Sequence, residues 1–190
     1  MLSIKANGTK QSTNGSVDVL NSREAGVIEH NGNTKIAMAS YIGLVTVSGL
    51  IIERAFAGSS GEIFGHGDTR TVEANSAGSV ALVGNPNLVV ASDYGSVLVF
   101  GQPRKTISRN HGLITIVTEQ ENFQPTEVET SDNGRIRIIT PGVEKARRLE
   151  TNELHHKLGI LFPRNERLDP LYVAYSGLLR GSNRDEYLVV

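Results

Sequence analysis

A short phrase recurs seven times along this chain, and it leaves few folds open. It begins at Gly26, Gly43, Gly61, Gly78, Gly95, Gly112 and Gly134, with starts 17, 18, 17, 17, 17 and 22 residues apart. The clearest copies read Gly43-Leu-Val-Thr-Val-Ser-Gly49, Gly78-Ser-Val-Ala-Leu-Val-Gly84 and Gly95-Ser-Val-Leu-Val-Phe-Gly101. Two places after each start stands a β-branched residue: Ile28, Val45, Ile63, Val80, Val97, Ile114 and Ile136. Six places after it stands glycine or threonine: Gly32, Gly49, Gly67, Gly84, Gly101, Thr118 and Thr140. A fixed short period marks a stacked repeat.

Within each copy the second and fourth positions are mostly apolar, as in Val45 and Val47 or Val97 and Val99. Period two predicts a strand with those side chains on one face. A weaker strand follows the second glycine, at Ile36-Ala-Met38, Val72-Glu-Ala74, Val89-Val-Ala91 and Ile107. Each copy closes on a small polar residue two before the next glycine: Ser59, Ser76, Asp93, Asn110 and Asp132. Those residues followed by glycine are turn chemistry. Two strands cannot bury a face alone, and seventeen residues leave no room for a helical crossover. If each coil of chain stacks on the last, every strand pairs in parallel with its equivalent about 4.8 Å away. An antiparallel sandwich explains the alternation but not the locked period.

The predicted class is therefore all-β, a parallel β-solenoid of about seven 17-residue coils over residues 15–142. Residues 1–14 are polar and predict an arm held by neighbouring chains, since such a composition buries no core. Gly15-Ser-Val-Asp-Val-Leu20 reads as a degenerate opening copy, with Val17 at the second position. The copy from Gly112 to Gly134 carries five extra residues near 119–126, an acidic loop with one aromatic, Phe123. After Pro141 the period stops, and residues 143–190 predict a short α-helical and irregular region. Its helix, at 143–158, has Leu154 and Leu158 four apart and Gly159 as a stop; it is placed to cap the last coil. Tyr187-Leu-Val-Val190 is apolar and suited to adding strand-wise to another chain.

Little in the chain suggests chemistry. Cysteine is absent, which excludes thiolate metal sites and cysteine nucleophiles. The N-terminus lacks a basic region followed by an apolar run, so no signal peptide is expected, and no apolar stretch is long enough to span a bilayer. His30, His66, His111, His155 and His156 show no zinc spacing. Gly61-Glu-Ile-Phe-Gly-His-Gly67 lacks the Lys-Ser/Thr of a phosphate loop. Basic and acidic residues balance at 19 and 20, and Arg104, Lys105 and Arg109 lie among glutamates, so neither nucleic acid nor membrane is expected as a partner. No catalytic residue, cofactor or metal is expected. The enzymatic alternative is polysaccharide cleavage between carboxylates of the turn row, Asp93 and Asp132, roughly 10 Å apart at the coil spacing.

The third and fifth positions of the strands point outward, yet many are apolar: Phe64, Ala81 and Leu98 at the third, Val83, Phe100, Val117 and Ile139 at the fifth. Strands apolar on both faces are covered on both. The cover is expected to be either the chain's own C-terminal segment or identical copies, three in parallel around an axis; Phe123 and Tyr187 are added as contacts.

In this architecture, over residues 15–140, the chain resembles the β-helical virion proteins of tailed phages: head decoration (cement) proteins and trimeric spike modules. That resemblance implies a non-enzymatic assembly protein of the virion, a homotrimer that binds other structural proteins such as a capsid protein. Two alternatives compete with it: a polysaccharide-binding or polysaccharide-cleaving β-helix like the pectate lyases and tailspikes, and a cytoplasmic filament-forming β-helix like the bactofilins.

Overall fold

The computed structural model describes residues 1–120, 122–140 and the backbone of 184–188. It is a parallel β-solenoid of about seven coils with two long faces, and no helix occurs among the described residues. Sheet A contains β1 (Ser3–Asn7), β3 (Val17–Arg23), β5 (Thr34–Ala39), β8 (Thr71–Ala74), β10 (Leu88–Ala91), β12 (Lys105–Ser108) and β14 (Glu127–Thr130). Sheet B contains β2 (Lys10–Asn14), β4 (Val27–Asn31), β7 (Glu62–His66), β9 (Ser79–Val83), β11 (Ser96–Phe100), β13 (Leu113–Val117) and β15 (Arg135–Thr140). The 14-residue β6 (Leu44–Ala57) runs through both sheets, with a register shift against each. Every pairing within the coils is parallel, and β16 (Arg184–Leu188) closes the end of sheet B antiparallel to β15.

The second-position residues form one interior ladder: Val80 lies opposite Val97, and Val97 opposite Ile114, all at most 1% exposed. In sheet A the inward positions are Ala37, Ala55, Val72, Val89 and Thr106, and beside the turns a row of small residues runs Ser22, Ala39, Ala57, Ala74, Ala91, Ser108. This row is small because the phrase-opening glycines press on it. A Cβ on Gly95 would lie 2.2 Å from the Ala74 carbonyl oxygen, so only hydrogen fits.

From β3 onward the turn from sheet A to sheet B has one form. Two successive non-glycine residues take positive φ, as Ser76 (47°) with Ala77 (61°) and Asp93 (50°) with Tyr94 (65°). The following glycine N–H donates back across the turn: Gly78 to the Asn75 carbonyl and Gly95 to that of Ser92, both at 2.7 Å. This is the φ signature of a type I′ turn. The polar residues two before each glycine therefore stand in left-handed backbone, where Asp, Asn and Ser are among the better-tolerated side chains. The turns also bond to one another, for example Tyr94 N–H to the Asn110 carbonyl at 3.1 Å.

At the opposite corner a second row runs through the second glycines. Gly84 has φ +148°, and a Cβ there would meet the Gly67 carbonyl oxygen at 2.3 Å. Beside it, Asp68 accepts from Asn85 N–H (2.6 Å) and Asn85 accepts from Gln102 N–H (2.8 Å). The five extra residues emerge at this corner, between β13 and β14. The ladder resumes intact beyond them, with Lys105 opposite Glu127.

Two expectations about the ends change. Residues 1–14 are not an arm outside the coils: β1 pairs with β3, and β2 with β4. The reason is that the edge of the next coil offers a row of backbone partners that polar side chains can join. Inward positions in β2 hold Gln11 and Thr13 in place of aliphatic residues, and the Gln11 amide donates to the Lys5 carbonyl at 2.7 Å, plugging the open end. Val17 accordingly opens a sheet A strand, not a sheet B one. The helix expected at 143–158 lies outside the described residues.

Candidate interaction surface

The outward residues of sheet B do form one patch. Phe64, Ala81, Leu98 and Thr115 stack in one row, and Val83, Phe100, Val117 and Ile139 in the next. The patch is not open, however. Phe64 is 2% exposed, Ala81 4%, Leu98 6%, Val117 4% and Ile139 3%, while Val83 and Phe100 are half-buried. These side chains are shielded from solvent, as strands apolar on both faces require. Glu62 and His66 flank Phe64 on β7 and are half-buried. Burial raises the Glu62 carboxyl and lowers the His66 imidazole, so both are pushed toward their neutral forms.

The two added contacts fall elsewhere. Phe123 is half-buried and packs against the interior core, so the acidic loop carries no projecting aromatic. Tyr187 lies in β16 opposite Arg137 of β15, so this strand completes its own chain's sheet rather than another's.

The surface charges are used between coils. Lys10 pairs with Glu29 (2.8 Å), Lys35 with Asp18 (2.7 Å), Arg54 with Glu73 (2.6 Å), Lys105 with Glu127 (2.6 Å), and Arg109 with Glu129. The Lys35 ammonium holds the Asp18 carboxyl below its usual range, and Lys105 does the same for Glu127. No family model, curated protein or solved structure matches this chain. Its function must be read from the site chemistry alone.

That chemistry is spare. Asp93 and Asp132 sit two coils apart in the turn row with Asn110 between them, and Asn110 Nδ2 donates to Asp93 Oδ1 at 3.0 Å. One member of the carboxylate pair is thus held in a turn-to-turn bond. Among the described residues no three His, Asp or Glu side chains gather where an ion could be held. His30 is 2% exposed inside the second coil, its Nδ1 2.8 Å from Thr13 Oγ1 and its Nε2 3.3 Å from the Asn33 carbonyl.

Two surfaces escape the sequence reading. Along the turn edge, Tyr41 is 61% exposed, Ile42 72% and Tyr94 69%, and the Tyr94 ring stacks on His111 with centroids 4.9 Å apart. The signal lay in the turn dipeptides, which place bulky residues where small polar ones are expected. The second surface is the outer face of sheet A. Leu88-Val-Val-Ala91 is apolar at every position, the same sign of two covered faces that the first strand gives, but it reads as merely a weaker strand.

Proposed function

We propose that this chain is a non-enzymatic structural protein, a stiff rod that acts through protein–protein contacts in a larger assembly, of the decoration or spike type found in virions. The observation that supports this reading is the ion pairing between coils. Charged side chains across the described coils are matched to a neighbour one coil away, so the surface chemistry serves stacking rather than conversion of a substrate. Glycine rows at both corners serve the same end. The test is quantitative mass spectrometry of particles purified from the source, with particles lacking the chain as control. A fixed ratio to the major shell protein, and a lower particle melting temperature without the chain, is the expected result. Absence from particles overturns the reading.

A second reading, polysaccharide binding, is favoured by one observation. The turn edge sets exposed Tyr41 apart from the Tyr94–His111 stack, with Ser59, Ser60, Ser76 and Ala77 between them. Flat exposed rings beside small hydroxyl residues suit the apolar faces of sugars. Glycan-array binding that is lost in Tyr41→Ala and Tyr94→Ala would establish it.

A further inference from the structure

Four Asn-Gly steps occur in the chain: Asn7-Gly8, Asn14-Gly15, Asn31-Gly32 and Asn133-Gly134. Such a step is chemically labile, because a glycine carries no side chain to hinder its amide nitrogen on the way to the asparagine Cγ. All four asparagines are exposed, so exposure does not tell them apart. The glycine N–H groups do. Gly8 donates to the Arg23 carbonyl (3.3 Å), Gly15 to that of Asn31 (3.1 Å) and Gly134 to that of Ser131 (2.9 Å). No carbonyl among the described residues accepts from the Gly32 N–H.

The cause lies in the next coil. Gly67, Gly84 and Gly101 stand at the same corner as Gly32, and they donate to the carbonyls of Val83, Phe100 and Val117, one coil on. The residue in that place for Gly32 is Ser48. Its coil, from Gly43 to Gly61, has 18 residues, and β6 slips register between Thr46 and Leu50. Pairing of β4 with β6 therefore stops at His30 opposite Val47, whereas β9 and β11 stay paired as far as Val83 and Phe100. The Ser48 side chain still reaches across. Its hydroxyl lies 3.0 Å from Asn31 Oδ1 and 3.2 Å from the His30 carbonyl oxygen, and donates to either.

We propose that Asn31-Gly32 is a self-modification site, where the Gly32 nitrogen closes on the Asn31 side chain and releases ammonia. Hydroxide takes the Gly32 amide proton. The nitrogen bonds to Asn31 Cγ, and the Cγ–Nδ2 bond breaks. The leaving nitrogen takes a proton from water, which restores the hydroxide. The product is a five-membered succinimide. Water opens it at the side-chain carbonyl to give aspartate, or at the main-chain carbonyl to give isoaspartate. The Ser48 hydroxyl stands where negative charge develops on Oδ1 during the attack, and a fixed donor at that place lowers the barrier. No partner or cofactor is needed, so the inference goes beyond the assembly reading. Its consequence falls on the first coil. Asn31 lies opposite Asn14, and β4 is the one described strand that β2 pairs with. Isoaspartate adds a carbon to the main chain at that point, which breaks the register that holds β2.

Peptide mapping by mass spectrometry of the full chain, aged in warm, mildly alkaline buffer, tests this, with isoaspartate counted by enzymatic methyl transfer. In the folded chain Asn31 should deamidate about threefold to tenfold faster than Asn7, Asn14 or Asn133, the factor that one hydrogen bond on the glycine nitrogen is worth. In urea, where all four glycines are free, the rates should converge. Ser48 is exposed, so Ser48→Ala should leave the melting temperature unchanged and slow Asn31 alone, again by about threefold to tenfold. Ser48→Thr, which keeps the hydroxyl, should retain the rate. Hydrogen exchange at Lys10–Asn14 should quicken with age in the wild type and not in Asn31→Gln. An Asn31 no faster than the other three, a lead that persists in urea, a rate unchanged in folded Ser48→Ala, or exchange in β2 that does not alter with age each overturns the proposal.

Discussion

Single atoms decide much of this fold. Thr106 stands in the interior row between Val89 and Val128, and its hydroxyl has no hydrogen-bond partner among the described residues. Burying an unmatched hydroxyl costs free energy that a methyl group does not. Thr106→Val should therefore stabilise the chain by about 1 kcal/mol, read as a rise in denaturation midpoint with unchanged slope. The glycine contacts carry the opposite lesson. Gly95→Ala forces a methyl against the Ala74 carbonyl and should cost about 2–3 kcal/mol, whereas a glycine kept only for its backbone freedom would cost less. His66 supplies a pH test. Its imidazole is held below the ordinary value of 6.5 by burial. As pH falls through 6.5 the unfolded chain takes up a proton that the folded chain resists, so stability drops with acid. Glu62 acts in reverse, its raised carboxyl costing stability as pH rises through 4.5 toward its folded value. Melting curves of wild type and His66→Gln should diverge as the pH falls below 6.5, with the wild type falling faster. Parallel curves would mean that His66 is not shielded from water. At this scale the sequence is only half legible. The inward Val and Ile announce themselves by repetition, but alternation alone does not tell that the outward Phe64 is buried.

Elements are the scale at which periodicity speaks most clearly. Alternation places strands of both sheets, and the phase assigned to the second position agrees with the register of Val80, Val97 and Ile114. Val97→Asp would put an unpaired charge into that row and should cost about 4 kcal/mol or more, lowering the melting temperature by roughly 10 °C. A shift of only a degree or two would contradict the interior position. The first coil is where the same logic fails. β2 is polar throughout and β1 brings only Ile4 and Ala6 to the core, so a rule that asks each segment to bury apolar surface discards them. They form because a preformed strand edge supplies their hydrogen bonds, and because polar side chains such as Gln11 are what the last layer of a stack requires. The turns are legible in part. Ser59, Ser76, Asp93, Asn110 and Asp132 mark their places, but the partner position tolerates Ile42 and Tyr94 at a conformational cost no composition rule anticipates.

The whole molecule is an array in which each coil touches its two neighbours. Removing residues 79–95 joins Gly78 to Ser96, the same step the repeat makes from Gly95, and deletes one full coil. That variant should keep its strand content by circular dichroism and melt cooperatively at a lower temperature. Removal of twelve residues from the same place, which breaks the register, should unfold the rod. Equal behaviour of the two would refute the stacking. The architecture is legible at this scale because a period is a statement about neighbours. The burial of the outward residues of sheet B is not, because it concerns what a strand meets outside the repeat.

The plug at Gln11 has a bearing on how the rod comes into being. Its layer needs only the coil that follows it, and each later coil rests on the one before. Translation runs toward the C-terminus, so this layer leaves the ribosome before the coils that stack on it. Every seventeen or so residues after that would meet a ready template, and no segment of the coils would have to wait for a distant partner still unmade.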